Sequence, residues 1–180
     1  MEETRRRIAE AAIALHGTVG PAYTSMSAVA DQAGVTRMTL YRHFPSEQEL
    51  FGACSSLWRD HHPWPDPASW VASTPRRRVL HALGDLYPFY AENAAMLGNL
   101  IRDADAVPAE LRDALAAGPF TMADALLDAW PRTRRTKELR ATLVHVCTFT
   151  TWLSLSNAGL ETSRCESTAV VWVMASAPGR

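Results

Sequence analysis

Arg37, Thr39, Arg42 and His43 sit within seven residues of one another. Side chains that donate hydrogen bonds, at that density on one short helix, suit base edges and phosphate oxygens. Leu40 and Phe44, four apart, make an apolar face on the other side, so such a helix can be held by one face and read with the other. Elsewhere the residue types of catalysis do not assemble. No Ser or Cys has a placed base, no glycine-rich loop is suited to cradle a phosphate, and nothing has metal-ligand spacing. His61 and His62 are adjacent and point in different directions on a helix, with no Cys or carboxylate cluster to join them. His81 and His145 stand singly among apolar neighbours, the setting of core histidines. No enzyme, no cofactor and no metal site is expected.

The elements that must position this helix are short. Thr24 or Ser25 can cap a first helix that runs to Ala33, where Gly34 ends it by accepting a left-handed conformation. Val35 fills the turn, and Thr36 can cap the second helix. Val29, Ala30 and Ala33 share one face, and the alanines let the two backbones approach closely. This is the pattern of a helix-turn-helix. Ahead of it, a helix from about Glu3 to Gly17 carries the stripe Ile8, Ala12, Leu15, with Arg5, Arg6 and Arg7 either reaching phosphates or forming a solvated charge run. Tyr23 is expected to pack down on this part. After it, Ser46 and Glu49 form a capping box that opens a helix through Phe51, Cys54, Leu57 and Trp58.

Three stretches together, Ala30-x-x-Ala33-Gly34-Val35, Thr39-Leu40-Tyr41-x-x-Phe44 and Ser46-x-x-x-Leu50, resemble the DNA-binding domain of the TetR family of transcriptional regulators. The resemblance covers roughly the first third of the chain. It implies an all-α fold, with a three-helix helix-turn-helix domain over residues 1–60. A linking helix joins this to a helical ligand-binding and dimerisation domain over 61–180. It implies double-stranded DNA as a partner, with Arg37 and Thr39 reading bases and Met38 against a thymine methyl. Tyr41, Arg42, His43, Ser25 and Ser27 would hold phosphates, and Thr36 would share that surface while capping the helix. Family members often carry Gly or Ala where Met38 stands and Lys where Glu47 stands, so base preference and one phosphate contact should differ here.

Composition narrows the rest. Residues 1–60 hold six arginines against seven acids, and the 180-residue chain has a formal net charge of −1. Affinity for DNA must therefore come from where the arginines sit. With 47% hydrophobic residues the chain can bury a sizeable interior. Three cysteines, Cys54, Cys147 and Cys165, lack metal spacing and fit buried free thiols in a reducing cytosol. No apolar stretch is long enough to span a bilayer and no signal core is evident, so a cytoplasmic protein with no membrane partner is expected.

Prolines 63, 65 and 67 break the pattern after Trp58 and mark a boundary, with Trp64 packed down. From Pro75, Val79, Leu80, Leu83, Leu86, Tyr87 and Tyr90 form one helical face, with a kink expected at Pro88. Gly118-Pro119 should kink or break a later helix, and Pro131 to Thr136 reads as a solvated basic loop. One long helix is expected from about Arg135 to Asn157, stopped at Gly159. The last helix starts at Ser163 with Glu166 completing a capping box, and is apolar on several sides, so it must be covered.

In the resembled family the last two helices pair with their copies. That implies a homodimer through Val146, Thr150, Leu153, Val170, Val173 and Met174. Two recognition helices then read a palindrome with half-site centres about 34–36 Å apart. An unidentified small-molecule effector would sit among Leu86, Tyr87, Tyr90, Met96, Leu100, Phe120, Met122, Trp130, Phe149 and Trp152, a lining suited to a bulky apolar compound. The expected function is a ligand-responsive repressor released from its operator by that effector. The alternative is a helical small-molecule binding protein that has lost DNA binding.

Overall fold

Caps and glycine stops divide the residues that this computed structural model describes, 2–177, into ten α-helices and four short 3-10 turns, with no strand among them. In order these are α1 (Glu2–Thr18), α2 (Met26–Gln32), α3 (Arg37–His43), α4 (Glu47–His61), α5 (Pro75–Glu92), α6 (Ala94–Arg102), α7 (Ala109–Leu127), α8 (Lys137–Val146), α9 (Phe149–Asn157) and α10 (Thr162–Ser176). Two compact units result. The first takes the chain up to Pro63 together with Ala95–Arg112, and the second takes Trp64–Ala94 and the chain from Asp113 onward. The first unit thus draws in α6 residues that a boundary near residue 60 assigns to the C-terminal part.

In the first unit α1 packs against α2 and α4, and α2 against α3. Ile8, Ala12, Val29, Ala30, Leu40, Phe44, Leu50 and Cys54 close the core. Leu40 and Phe44 are each 0% exposed, and truncating a side chain so placed costs about 2–5 kcal/mol. The loop after α1 turns on Gly20, at φ +97 and ψ 163, a region essentially reserved for glycine. Any Cβ there would also collide with Arg102 and Asp103. Asn99 of α6, buried, donates to the His16 carbonyl oxygen at 2.8 Å and so satisfies an acceptor left open at the end of α1. Arg102 donates to the Val19 carbonyl oxygen at 2.7 Å, and the Asp103 carboxylate accepts from the Ala22 amide at 3.2 Å. The Arg102 guanidinium, 2.7 Å away, holds the Asp103 carboxyl below the usual carboxylate range. Tyr23 does not pack down as expected; it is 73% exposed, with Arg102 standing 5.7 Å from its ring.

In the second unit α10 packs on α5 and α8. Thr74 caps α5 through the Arg77 amide, and Pro75 occupies the first turn, where its missing N–H costs nothing. α5 runs on through Pro88 and α7 through Pro119, so neither proline ends its helix. Trp64 lies 4.6 Å from the Phe89 ring, as its expected packing requires. Trp70, 0% exposed, donates its indole N–H to Asp85 at 3.0 Å.

The single helix expected over 135–157 is two, α8 and α9, broken at Cys147 and Thr148. A helix end leaves four carbonyl groups without helical partners. Here side chains take all four. Thr148 donates to Val144 at 2.9 Å, Thr151 to His145 at 2.6 Å, Tyr87 to Val146 at 3.0 Å and Tyr90 to Cys147 at 2.5 Å. The expected stop at Gly159 holds. The capping box at Ser163 does not: α10 starts at Thr162 after Glu161, and no side chain caps it. No described helix is long and apolar enough to cross a membrane.

Candidate nucleic-acid interface

Local chemistry sets the recognition helix. Ser25 Oγ accepts from the Ala28 amide at 3.2 Å and starts α2. Gly34, at φ +64, ends it: its amide bonds the Asp31 carbonyl at 3.1 Å and the Val35 amide bonds Ala30 at 3.0 Å, the paired closure of a Schellman motif. Thr36 Oγ1 accepts from the Thr39 amide at 3.1 Å and starts α3. Ser46 Oγ accepts from the Glu49 amide at 3.2 Å and starts α4, while the glutamate turns back to the Ser46 hydroxyl at 3.4 Å.

With Leu40 and Phe44 inside, the other side of α3 is open. Met38 is 82% exposed, Tyr41 is 49% exposed, and Arg37 and Arg42 are exposed. Among the described residues neither arginine is in an ion pair. Thr39 and His43 are half-buried, and the Thr39 hydroxyl sits 3.0 Å from that of Thr36. Ser25 and Thr36 are exposed caps, and Ser27 is half-buried on α2. All nine residues read as DNA-facing therefore lie on α2, α3 or their caps.

The N-terminal arginines do something other than expected. Arg7 donates to the Ala33 carbonyl oxygen at 2.6 Å, and Arg5 to that of His43 at 2.5 Å while its guanidinium lies 4.1 Å from the centre of the Phe44 ring. Two positive charges thus close the C-terminal ends of α2 and α3, where a helix is negative. Arg6 pairs with Glu3 and Glu10, each at 3.2 Å.

The residues assigned to an effector pocket divide. Met96 and Leu100 belong to the first unit, where the Met96 methyl lies 3.7 Å from where a side chain on Gly17 would begin. The other eight belong to the second unit. Leu86, Tyr87, Tyr90, Met122, Trp130, Phe149 and Trp152 are buried there, whereas Phe120 is 49% exposed under Arg140. Tyr87 and Tyr90 are bound to the carbonyls of the α8–α9 break, and burial raises both phenol pKa values. Trp152 is buried with its indole Nε1 lacking a hydrogen-bond partner.

The residues assigned to a dimer surface divide as well. Val146, Val170 and Val173 are buried within their own chain at 0–1% exposure, so they cannot meet a second copy. Thr150 is exposed, and Leu153 and Met174 are half-buried. The outward face of α10 instead carries Val171 and Trp172, 57% and 38% exposed.

His81 and His145 are not core histidines. Both are exposed, His81 lying 3.7 Å from Asp85 and His145 beside Thr151. The buried histidine is His16, 7% exposed and held to a pKa of about 4 by desolvation. The three thiols are buried, as expected, and burial pushes those of Cys54 and Cys147 up to about 12.

A capped pair of helices with a glycine turn, packed on a third helix and presenting a polar outer face, defines a helix-turn-helix protein. Residues 8–54 match the family described as bacterial regulatory proteins, tetR family, and this N-terminal domain belongs to that family. The chain is 34% identical over 131 residues to the transcriptional repressor KstR of Mycolicibacterium smegmatis, a match covering 71% of this chain and 60% of the relative. It is 39% identical over 57 residues to the regulator AcrR of Shigella flexneri, covering 32% of this chain and 25% of that protein. The chain thus spans about 60% of the KstR length it matches. Among solved structures, a TetR-like regulator from Rhodococcus sp. RHA1 superposes with a TM-score of 0.67 at 20% identity, covering 95% of this chain and 93% of that one. A tetR-family regulator from Streptomyces coelicolor gives 0.65 at 20% identity, with 98% and 81% coverage. These two establish the all-helical fold.

Proposed function

We propose that this chain is a ligand-responsive transcriptional repressor that binds a palindromic operator as a homodimer in the cytoplasm. The observation that carries it is α3: a seven-residue helix anchored by Leu40 and Phe44 at 0% exposure, whose outward side offers Arg37, Met38 and Arg42 to solvent. Arg37, near the start of α3, has the reach and fork geometry for a guanine edge. Tyr41, Arg42 and the Ser25 cap serve phosphates and set register. Repression, as against activation, follows the matched relative, which is named a repressor.

Trp152 supports the effector. A buried donor without a partner carries a desolvation cost of about 1–3 kcal/mol, which a ligand acceptor would remove. Phe149, 5.6 Å from Trp152, and Tyr90, 6.3 Å away, give an aromatic setting for an apolar body. The effector is then an apolar compound carrying one hydrogen-bond acceptor. By linkage, it lowers DNA affinity by the factor that DNA lowers its own.

The test is retention of duplex DNA from the gene's own upstream region, at several salt concentrations. Sequence-selective retention that weakens with salt upholds the reading. Absence of retention at every salt concentration, together with binding of small apolar compounds, would establish the binding-protein alternative.

A further inference from the structure

A groove of about 540 Å³ opens on the first unit, between the starts of α2 and α4 and the segment leading into α7. Met26, Val29, Leu50, Phe51 and Val107 give it an apolar floor. Exposed Glu47, Asp105 and Glu110 stand around it, and no Lys or Arg is among the residues that line it. The starts of α2, α4 and α7 also face this space, each worth roughly half a positive charge. Three carboxylates outweigh three such half charges, so the groove is negative.

His16 adds an acceptor. It lines the groove although it is 93% buried, its exposure being 7%. Its Nδ1 lies 3.8 Å from Cys54 Sγ, and the thiol donates to the Phe51 carbonyl oxygen at 3.3 Å. With the single thiol hydrogen on the Phe51 carbonyl, the tautomer that bonds Cys54 is the one protonated at Nδ1, and it leaves the Nε2 lone pair free. Among the described residues Nε2 has no hydrogen-bond partner. Burial disfavours the imidazolium, so the ring stays neutral near pH 7 and remains an acceptor.

We propose that this groove binds a small amphiphilic organic cation, with its apolar body on the Phe51 and Val107 floor and an N–H of that body donated to His16 Nε2. Its ammonium group lies among Glu47, Asp105 and Glu110. The volume falls in the range of small-molecule sites. A neutral isostere loses the charge interaction, and an anionic one is repelled. Binding there needs neither DNA nor a dimer, although the Ser25 cap, assigned above to a phosphate, also lines the groove.

Tryptamine is a suitable probe, because it combines an aromatic body, a ring N–H and an ammonium group. It would be titrated into the full chain while backbone amide shifts are followed by NMR, beside neutral tryptophol, anionic indole-3-propionate, and phenethylammonium, which lacks the ring N–H. The expected result is saturable shifts at Met26, Phe51 and Val107. Tryptamine should bind at least tenfold more tightly than tryptophol or indole-3-propionate, and more tightly than phenethylammonium. Glu47→Gln with Glu110→Gln should cost tryptamine at least tenfold and leave tryptophol unchanged. Ala106→Trp, at an exposed wall position, should abolish the shifts, with circular dichroism showing that both variants fold. Equal affinity for the probes, shifts confined to the other unit, unchanged tryptamine binding in the double variant, or no binding at millimolar concentrations would each overturn the site.

Discussion

Arg7 of α1 closes α2 from outside: its Nη2 donates to the Ala33 carbonyl oxygen at 2.6 Å, one residue before the Gly34 turn. The Schellman bonds take the carbonyls of Ala30 and Asp31, so Ala33 has no partner within its own motif. A charged donor at this end also opposes the negative pole of the helix. Arg7→Met keeps much of the side-chain stem and removes the donor. It should lower unfolding free energy by about 1 kcal/mol, read as an earlier urea midpoint at unchanged slope. Phosphate contact alone at Arg7 predicts instead an unchanged midpoint and a smaller salt dependence of DNA binding.

Arg37 and Arg42 are both exposed, but on a bound duplex they should behave differently. Arg37 stands at the first position of α3, where a recognition helix meets base edges. Arg37→Ala should cost about 1–3 kcal/mol and relax one position of the operator. Arg42→Ala should weaken binding to all sequences alike and reduce the salt slope by about one. Titration of an operator library against both variants separates the two. The same loss for both would remove the base-reading role from Arg37.

Tyr90 donates to Cys147 at 2.5 Å across 57 positions of sequence, and Tyr87 to Val146 across 59. These hydroxyls satisfy the break between α8 and α9. Tyr90→Phe keeps the ring, yet leaves a buried carbonyl unsatisfied. It should destabilise the chain by about 1–3 kcal/mol. Thermal unfolding would show this as a lower midpoint with no effector present. A variant with an unchanged midpoint and altered effector affinity would return Tyr90 to ligand contact.

What could be read from the chain was written in neighbours. The caps Ser25, Thr36 and Ser46 and the stops Gly34 and Gly159 act on backbone groups within a few residues, so residue type and spacing reveal them. Hence the recognition helix and its exposed side were legible. The features that were not legible depend on distant partners. The α8–α9 break needs the tyrosines of α5, and the end of α1 needs Asn99, 83 positions away. That second contact also brings the α6 residues into the first unit. The phase of α10 failed for another reason: Val170, Val171, Trp172, Val173 and Met174 are consecutive and apolar, so periodicity cannot choose which face turns inward.

That choice gives a prediction for the dimer. Val173 is 0% exposed and Val171 57% exposed on the same helix. If two copies meet on the outward face of α10, Val171→Arg should shift the chain from dimer to monomer while its secondary structure and melting profile in dilute solution persist. Val173→Ala should lower stability by about 1–3 kcal/mol and leave the association state unchanged. Sedimentation velocity beside circular dichroism reads both. An unshifted dimer in Val171→Arg would place the interface elsewhere.

His16 makes stability depend on mild acid. Desolvation depresses the folded pKa to about 4 from an ordinary 6.5, so between these values the unfolded chain takes up a proton that the folded chain refuses. Stability is therefore full above about pH 6.5, falls as pH drops through the window, and loses nothing further from this group below about pH 4. The loss between pH 7 and pH 5 should be roughly 2 kcal/mol. Nearby groups do not supply the same slope: the Cys54 thiol, pushed up to about 12, stays neutral throughout. Asp103, its pKa lowered first by the Arg102 hydrogen bond, contributes stability that is lost only at more acidic pH. His16→Gln removes the titration and puts an uncharged amide of similar reach in place of the ring. Urea unfolding of both proteins at pH 7 and pH 5 should show the parent losing about 2 kcal/mol more than the variant. Equal losses would mean that the ring gains a proton in the folded state, and that water reaches it more freely than 7% exposure allows.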